Sequence, residues 1–150
     1  NIWQNTALCY KSLLSILLVG GTNMDYNDCV ELVQRQDARN IFKACDVNLS
    51  FMPQPLQMFY ALYNPIDVEI VLADLTSISL CPVSGLKEIQ YEYPIDKNAF
   101  VFATKEGDAI YHMPNGIFTC AHGSSVIKHE KIADSFDSFI EKIVKEIRKW

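Results

Sequence analysis

The sequence has no long apolar run, no excess of base and no closely spaced pair of cysteines, and each lack removes a class of protein. Its most apolar stretch, Leu13-Leu14-Ser15-Ile16-Leu17-Leu18-Val19, falls far short of the ~20 residues a membrane-spanning helix needs. It reads as the buried stripe of a soluble helix. Gly20-Gly21-Thr22 is a poor small-x-small cleavage site and the flank holds only Lys11, which argues against a signal peptide. Residues 1–23 either form a peripheral N-terminal helix ahead of Met24 or belong to the fold. Eighteen acids against thirteen bases leave a net charge of -5, which argues against direct binding of nucleic acid through its phosphates. Five cysteines (Cys9, Cys29, Cys45, Cys81, Cys120) with no CxxC pair suit neither a secreted disulfide scaffold nor a zinc ribbon. They read as reduced thiols, which places the chain in a reducing compartment, the cytoplasm.

Chemistry-bearing signatures are missing as well. No GxGxxG, GKS/T, GxSxG or HExxH occurs, so neither a phosphate cradle nor a nucleophile elbow is visible. The expectation is a non-enzymatic protein without cofactor, metal or membrane partner.

What is present is a change of period along the chain. At 150 residues and 49% apolar the sequence is long enough for one domain with its own core. Asn23 or Asp25 can cap a helix carrying Cys29, Val30, Leu32 and Val33, and Asp37 can start another with Ile41, Phe42 and Cys45. After Met52-Pro53, the residues Leu56, Phe59, Tyr60 and Tyr63 recur at helical spacing until Asn64-Pro65 ends the helix. From Asp67 the period becomes two, with Val68, Ile70 and Leu72 inward. Leu86 to Tyr93 reads as another strand, with Ile89, Tyr91 and Tyr93 on one side and Glu88, Gln90 and Glu92 on the other.

Ala99 to Ala103, apolar on both faces, predicts a central strand. Lys105-Glu106-Gly107-Asp108 and Pro114-Asn115-Gly116 predict two hairpins, the second with a three-residue loop before a strand from Ile117 to His122. Asp134 or Ser135 caps a closing helix whose stripe is Phe136, Phe139, Ile140, Ile143, Val144 and Ile147. The expected fold is α+β: a single domain with a mainly antiparallel sheet, flanked by N-terminal helices and a C-terminal helix.

His112, Cys120, His122 and His129 invite a metal reading. In the three-residue-loop register, however, His112 and His122 sit ~13 Å apart at ~3.3 Å per residue, too far to share an ion. Asp108 opposite His122 reads as a surface hydrogen bond near a strand end rather than an acid–base pair. Cys120, placed mid-strand among apolar neighbours, reads as inert packing.

The remaining signal is charge. From Asp46 to Asp108 there are nine acids and three bases, a balance of -6, against +1 from Lys128 to Trp150. The acid excess therefore gathers in the sheet region and could meet a cationic partner. Candidate contacts are Glu88, Tyr91, Glu92, Tyr93 and Asp96, with Glu106 and Asp108 behind them.

Three stretches together resemble the SUKH superfamily of yeast cell-wall assembly regulators and bacterial immunity proteins. They are Phe59-Tyr60-Ala61-Leu62-Tyr63-Asn64, Phe102–Tyr111 with its Gly107-Asp108, and Ile132-Ala133-Asp134-Ser135-Phe136-Asp137-Ser138-Phe139-Ile140. The resemblance runs from about Met52 to Lys149 and departs at Pro65, where the family often has glycine. It implies a non-catalytic α+β domain. Many bacterial members neutralise the toxin domain of a polymorphic or contact-dependent system, often a nuclease. The implied function is an immunity protein that occludes a cognate toxin; the alternative is a regulatory scaffold like the eukaryotic members. The matching residues read as architectural, so no catalytic residue is carried over.

Overall fold

The computed structural model describes residues 25–150. Cys9, the Leu13–Val19 stripe, Gly20-Gly21-Thr22 and the capping candidate Asn23 lie outside the described residues. In chain order the elements are α1 (Asn27–Gln36), β1 (Ile41–Lys43), α2 (Gln54–Leu62), β2 (Asn64–Val71), β3 (Ser77–Leu80), a 3-10 turn (Val83–Gly85), α3 (Leu86–Glu92), β4 (Phe100–Lys105), β5 (Asp108–Met113), β6 (Gly116–Thr119), β7 (Glu130–Ala133) and α4 (Phe136–Ile147). The strands make one antiparallel sheet in sequence order, with β4 at its centre. The fold is α+β, as the change of period predicts.

The main core lies on one face of the sheet. Ile70, Ile78, Phe102, Ile110 and Ile117 from the strands meet Val33 of α1, Leu56, Phe59 and Tyr60 of α2, and Phe136, Phe139, Ile140 and Ile143 of α4. Five of the six predicted stripe residues of α4 are buried, and Val144 packs partly buried against them. Ser135 caps that helix: its hydroxyl accepts the Ser138 N–H at 3.1 Å, and Ser138 Oγ accepts the Ser135 N–H at 3.0 Å. These bonds satisfy donors that an α-helix leaves free at its start.

A second, smaller core on the opposite face joins Val101, Ala109, Tyr111 and Phe118 to Ile89, Tyr93 and Ile95 from α3 and the segment after it. A β-bulge between Val101 and Ala103 lets β4 serve both cores. Val101 pairs with Tyr111 on the minor face, while Phe102 and Ala103 both belong to the major core.

Three side-chain amides continue the sheet where strands run out. Gln36 Oε1 accepts the Val71 N–H at 2.9 Å and its Nε2 donates to the Val71 carbonyl at 2.8 Å. Asn40 does the same at Glu69, accepting its N–H at 2.9 Å and donating to its carbonyl at 3.0 Å, with a further bond to the Val33 carbonyl at 2.8 Å. Gln90 holds Val101 in the same way, at 2.8 and 2.7 Å. Each amide gives a strand backbone the donor and acceptor a neighbouring strand would have given.

Four expectations are corrected. Ile41 and Phe42 form β1 rather than a helix. Asp37 turns the chain by accepting the Arg39 N–H at 2.9 Å, and pairing with β2 then overrides local helical spacing. Leu86 to Glu92 is a helix rather than a strand. Leu86, Ile89 and Tyr93 fit a 3.6 period as well as alternation, and the helix turns them and Gln90 toward the sheet together. The second hairpin has two loop residues, because Met113 pairs with Gly116, and not three. A Cβ at Gly116 would stand 2.6 Å from the Ala133 carbonyl oxygen, so the glycine lets β7 approach and joins the strand instead of the loop. Finally, β6 ends at Thr119, which leaves Cys120 and His122 beyond the strand.

Candidate functional site

The helical state of α3 rearranges the predicted contact residues. On a strand, Tyr91 would share a side with Ile89 and Tyr93. On a helix, positions 88, 91 and 92 share one face, and all three are exposed, Tyr91 at 86%. Tyr91 thus shares one exposed face with two carboxylates, while Gln90, expected outward with the acids, turns inward to Val101. Among the described residues no ion pair involves Glu88 or Glu92. The nearest base in sequence, Lys87, lies over the Phe51 ring with its Nζ 5.3 Å from the centroid, directed at an aromatic instead of at its acidic neighbours.

The negative field of this helix is felt beneath it. The Cys81 thiol is pushed up to about 11, chiefly by burial, with Glu92 and then Glu88 adding to the shift. Cys29 is pushed up to about 12 by burial. Both thiols stay protonated at neutral pH and are poor nucleophiles.

The other candidates are partly committed to the fold. The Tyr93 hydroxyl donates to the Gly107 carbonyl at 3.2 Å, which ties the end of α3 to the β4–β5 hairpin. Glu106 accepts the Ser77 N–H at 2.9 Å. Asp108 Oδ1 accepts both the His122 N–H, at 2.8 Å, and His122 Nδ1, at 2.5 Å. Asp96 accepts the Asn98 N–H at 2.8 Å in an exposed turn. Glu88, Tyr91 and Glu92 are therefore the members of the set left free to meet a partner, and the hairpin supports them from behind.

The same geometry bears on chemistry. The Asp108–His122 pair is exposed at the hairpin and is the surface hydrogen bond the sequence suggests, although β6 stops short of His122. The His122 backbone N–H, and then its ring, hold the Asp108 carboxyl below the usual carboxylate range. A depressed carboxylate stabilises the fold above its unfolded value, near ~3.9, and that contribution is lost as pH falls through the folded value. The urea midpoint of an Asp108→Asn variant is accordingly expected to lie below the parent's at pH 7 and to approach it as pH falls through the folded value. Among the described residues no group of three or more His, Cys, Asp and Glu side chains is placed to hold a metal ion. No helix there is long and apolar enough to cross a membrane.

A groove of about 410 Å³ opens on the other side of the sheet, between α4 and the ends of β3 to β7. Ile78, Ile110, Phe139 and Ile143 form its floor, and Lys105, Glu106, Asp108, Glu130, Lys142 and Glu146 also line it. Four acids against two bases make its charged lining net acidic. The sequence reading reaches only Glu106 and Asp108 of this groove, because its floor residues are ordinary core positions.

Comparison with protein-family models, curated proteins and solved structures finds no match to the chain.

Proposed function

We propose that this protein acts in the cytoplasm as an immunity protein. It binds a cognate toxin domain of a polymorphic or contact-dependent system, a cationic nuclease by class, and occludes the toxin's active face without chemistry of its own. The observation that carries this is Tyr91, an 86%-exposed aromatic that shares a face with two exposed carboxylates on a helix that Gln90 and Tyr93 fasten to the sheet. Aromatic anchors dominate binding energy at protein interfaces, and flanking acids speed association with a basic surface. A nuclease needs a basic surface to hold phosphates, so an acidic face held on a rigid element suits it. The resemblance of Phe59–Asn64, Phe102–Tyr111 and Ile132–Ile140 to the SUKH superfamily supports the same function.

The test is co-expression with the product of the adjacent gene. A stoichiometric complex is expected, together with rescue of cells that the product alone would kill. A neighbour that neither binds nor harms cells would favour the regulatory-scaffold alternative.

A further inference from the structure

The sheet's minor face is covered on one side only. Strand pairing sets Glu69 beside Ser79, Ser79 beside Thr104 and Thr104 beside Ala109, and residues paired across antiparallel strands point to the same face. Ala109 belongs to the minor core with Ile89 and Tyr93, so the other three lie on that face too. Glu69 and Ser79 are exposed and Thr104 is half-buried. Helix α3 stands over β4 and β5 and leaves this part of β2 and β3 bare.

The bare strip has the form of a shelf. Ser79 and Thr104, two small hydroxyl side chains, make its floor. Its wall is α3, which Gln90 fastens to Val101 and Tyr93 to Gly107. Its rim is Glu69, where the Asn40 amide holds the backbone N–H and carbonyl. Neighbouring strands lie ~4.8 Å apart, so Glu69 and Thr104 stand ~10 Å apart across β3. That is close to the ~10 Å diameter of an α-helix.

Both borders of the shelf are acidic. Asp67, also exposed, continues the rim two residues before Glu69, and Glu88 and Glu92 stand on the exposed face of the wall. The field of those two acids reaches the end of β3: after burial, Glu92 and then Glu88 raise the thiol of Cys81, two residues past Ser79. Among the described residues no ion pair involves Asp67, Glu69, Glu88 or Glu92. The nearby bases are engaged or directed elsewhere. Arg39 is bonded to Asp37 at 2.9 Å. Lys105 pairs with Ile78 and lines the groove on the opposite face. Lys43 pairs with Asn64, ~17 Å along β2 from Glu69.

We propose that this shelf, and not α3 alone, receives the partner, and that what it receives is a basic α-helix of the toxin lying along β3 between Glu69 and α3. The inference rests on the immunity reading and adds the shape of the contact to it. A helix of that width brings lysines or arginines on both its flanks to carboxylates, while a seam of small residues rests on Ser79 and Thr104. Charge then complements charge on two sides at once. A flat basic surface would stand on α3 and leave the shelf empty.

Titration of the full chain at low salt tests the shelf. The probe is an alanine–lysine helical peptide of ~20 residues, long enough to hold its helix in water, with an alanine–glutamate peptide of equal length as control. The amide resonances of Glu69, Ser79 and Thr104 are expected to shift together with those of Tyr91 and Glu92, and only with the basic peptide. Glu69→Lys is expected to weaken binding about fivefold, the upper range for an exposed ion pair. Ser79→Tyr fills the floor at an exposed strand position that accepts an aromatic, and is expected to weaken binding more than Glu69→Lys does. Urea midpoints near the parent's show that both variants fold. Shifts confined to α3, or parent-like binding by both variants while the Glu88→Lys, Glu92→Lys double variant binds weakly, overturn the shelf and leave the α3 face in place. A basic peptide that shifts neither surface also overturns the shelf, and the co-expression test alone then decides the immunity reading.

Discussion

Phe59→Ala is expected to lower unfolding free energy by about 3–5 kcal/mol, the range for removing a fully packed aromatic from a core. Phe59 is 2% exposed, and its ring joins three helices. It meets Tyr26 at 5.3 Å, Phe136 at 5.4 Å, Tyr60 at 5.7 Å and Tyr63 at 6.1 Å between centroids. Phe42 of β1 lies at 6.3 Å. Most of these pairs are edge-on, the geometry that adds about 0.5–1.5 kcal/mol per pair beyond area. Domains of this size hold roughly 5–15 kcal/mol in total, so one truncation removes a large share of it. Phe59→Leu, which keeps most of the volume, is expected to cost under about 1.5 kcal/mol. Urea unfolding of the two variants checks the difference; equal small losses would show that the aromatic cluster is not the keystone of the core.

The second large effect belongs to a polar residue. Asn40→Leu removes an acceptor from the Glu69 N–H and a donor from the Val33 and Glu69 carbonyls. Asn40 itself is 4% exposed, so water cannot readily replace the amide. Leaving buried backbone groups unpaired costs about 1–3 kcal/mol per group, and a total near 3 kcal/mol is expected. Because the amide joins the end of α1 to β2, exchange of the Glu69 amide should rise more than the global loss accounts for. A variant as stable as the parent, with Glu69 still protected, would mean the strand edge finds another partner.

Neither effect is symmetrical in how easily the sequence reveals it. Phe59 sits in a helical stripe with Leu56, Tyr60 and Tyr63, and such periodicity is visible to inspection. The six-residue stripe and serine cap of α4 were legible for the same reason, as was the turn at Glu106-Gly107. Both of those turn residues take positive φ, 50° and 88°, the pattern of a tight hairpin with glycine at its second position. Asn40, Gln36 and Gln90 carry no periodic signal, because each works alone through its own amide.

Short elements were the other blind spot. β1 has three residues and α3 seven, too few for one period to outweigh another. β3, four residues long, offers only Ile78 and Leu80 alternating with serines. At the candidate docking face, composition shows Glu88, Tyr91 and Glu92 only as acids and an aromatic close together in sequence. It could not say that they share one exposed face, since that follows from a helical turn and not from alternation. The contact of His129 with Tyr111 is equally hidden, because it depends on the path of an irregular segment.

The central claim is that this protein works by docking the exposed face of α3 against a basic surface. Titrating a purified cognate toxin domain with the parent and with a Glu88→Lys, Glu92→Lys double variant at low and high salt tests it most directly. The account predicts association at least tenfold slower for the double variant at low salt, with the difference shrinking as salt screens the field. Equal rates and equal salt dependence for the two proteins would contradict it.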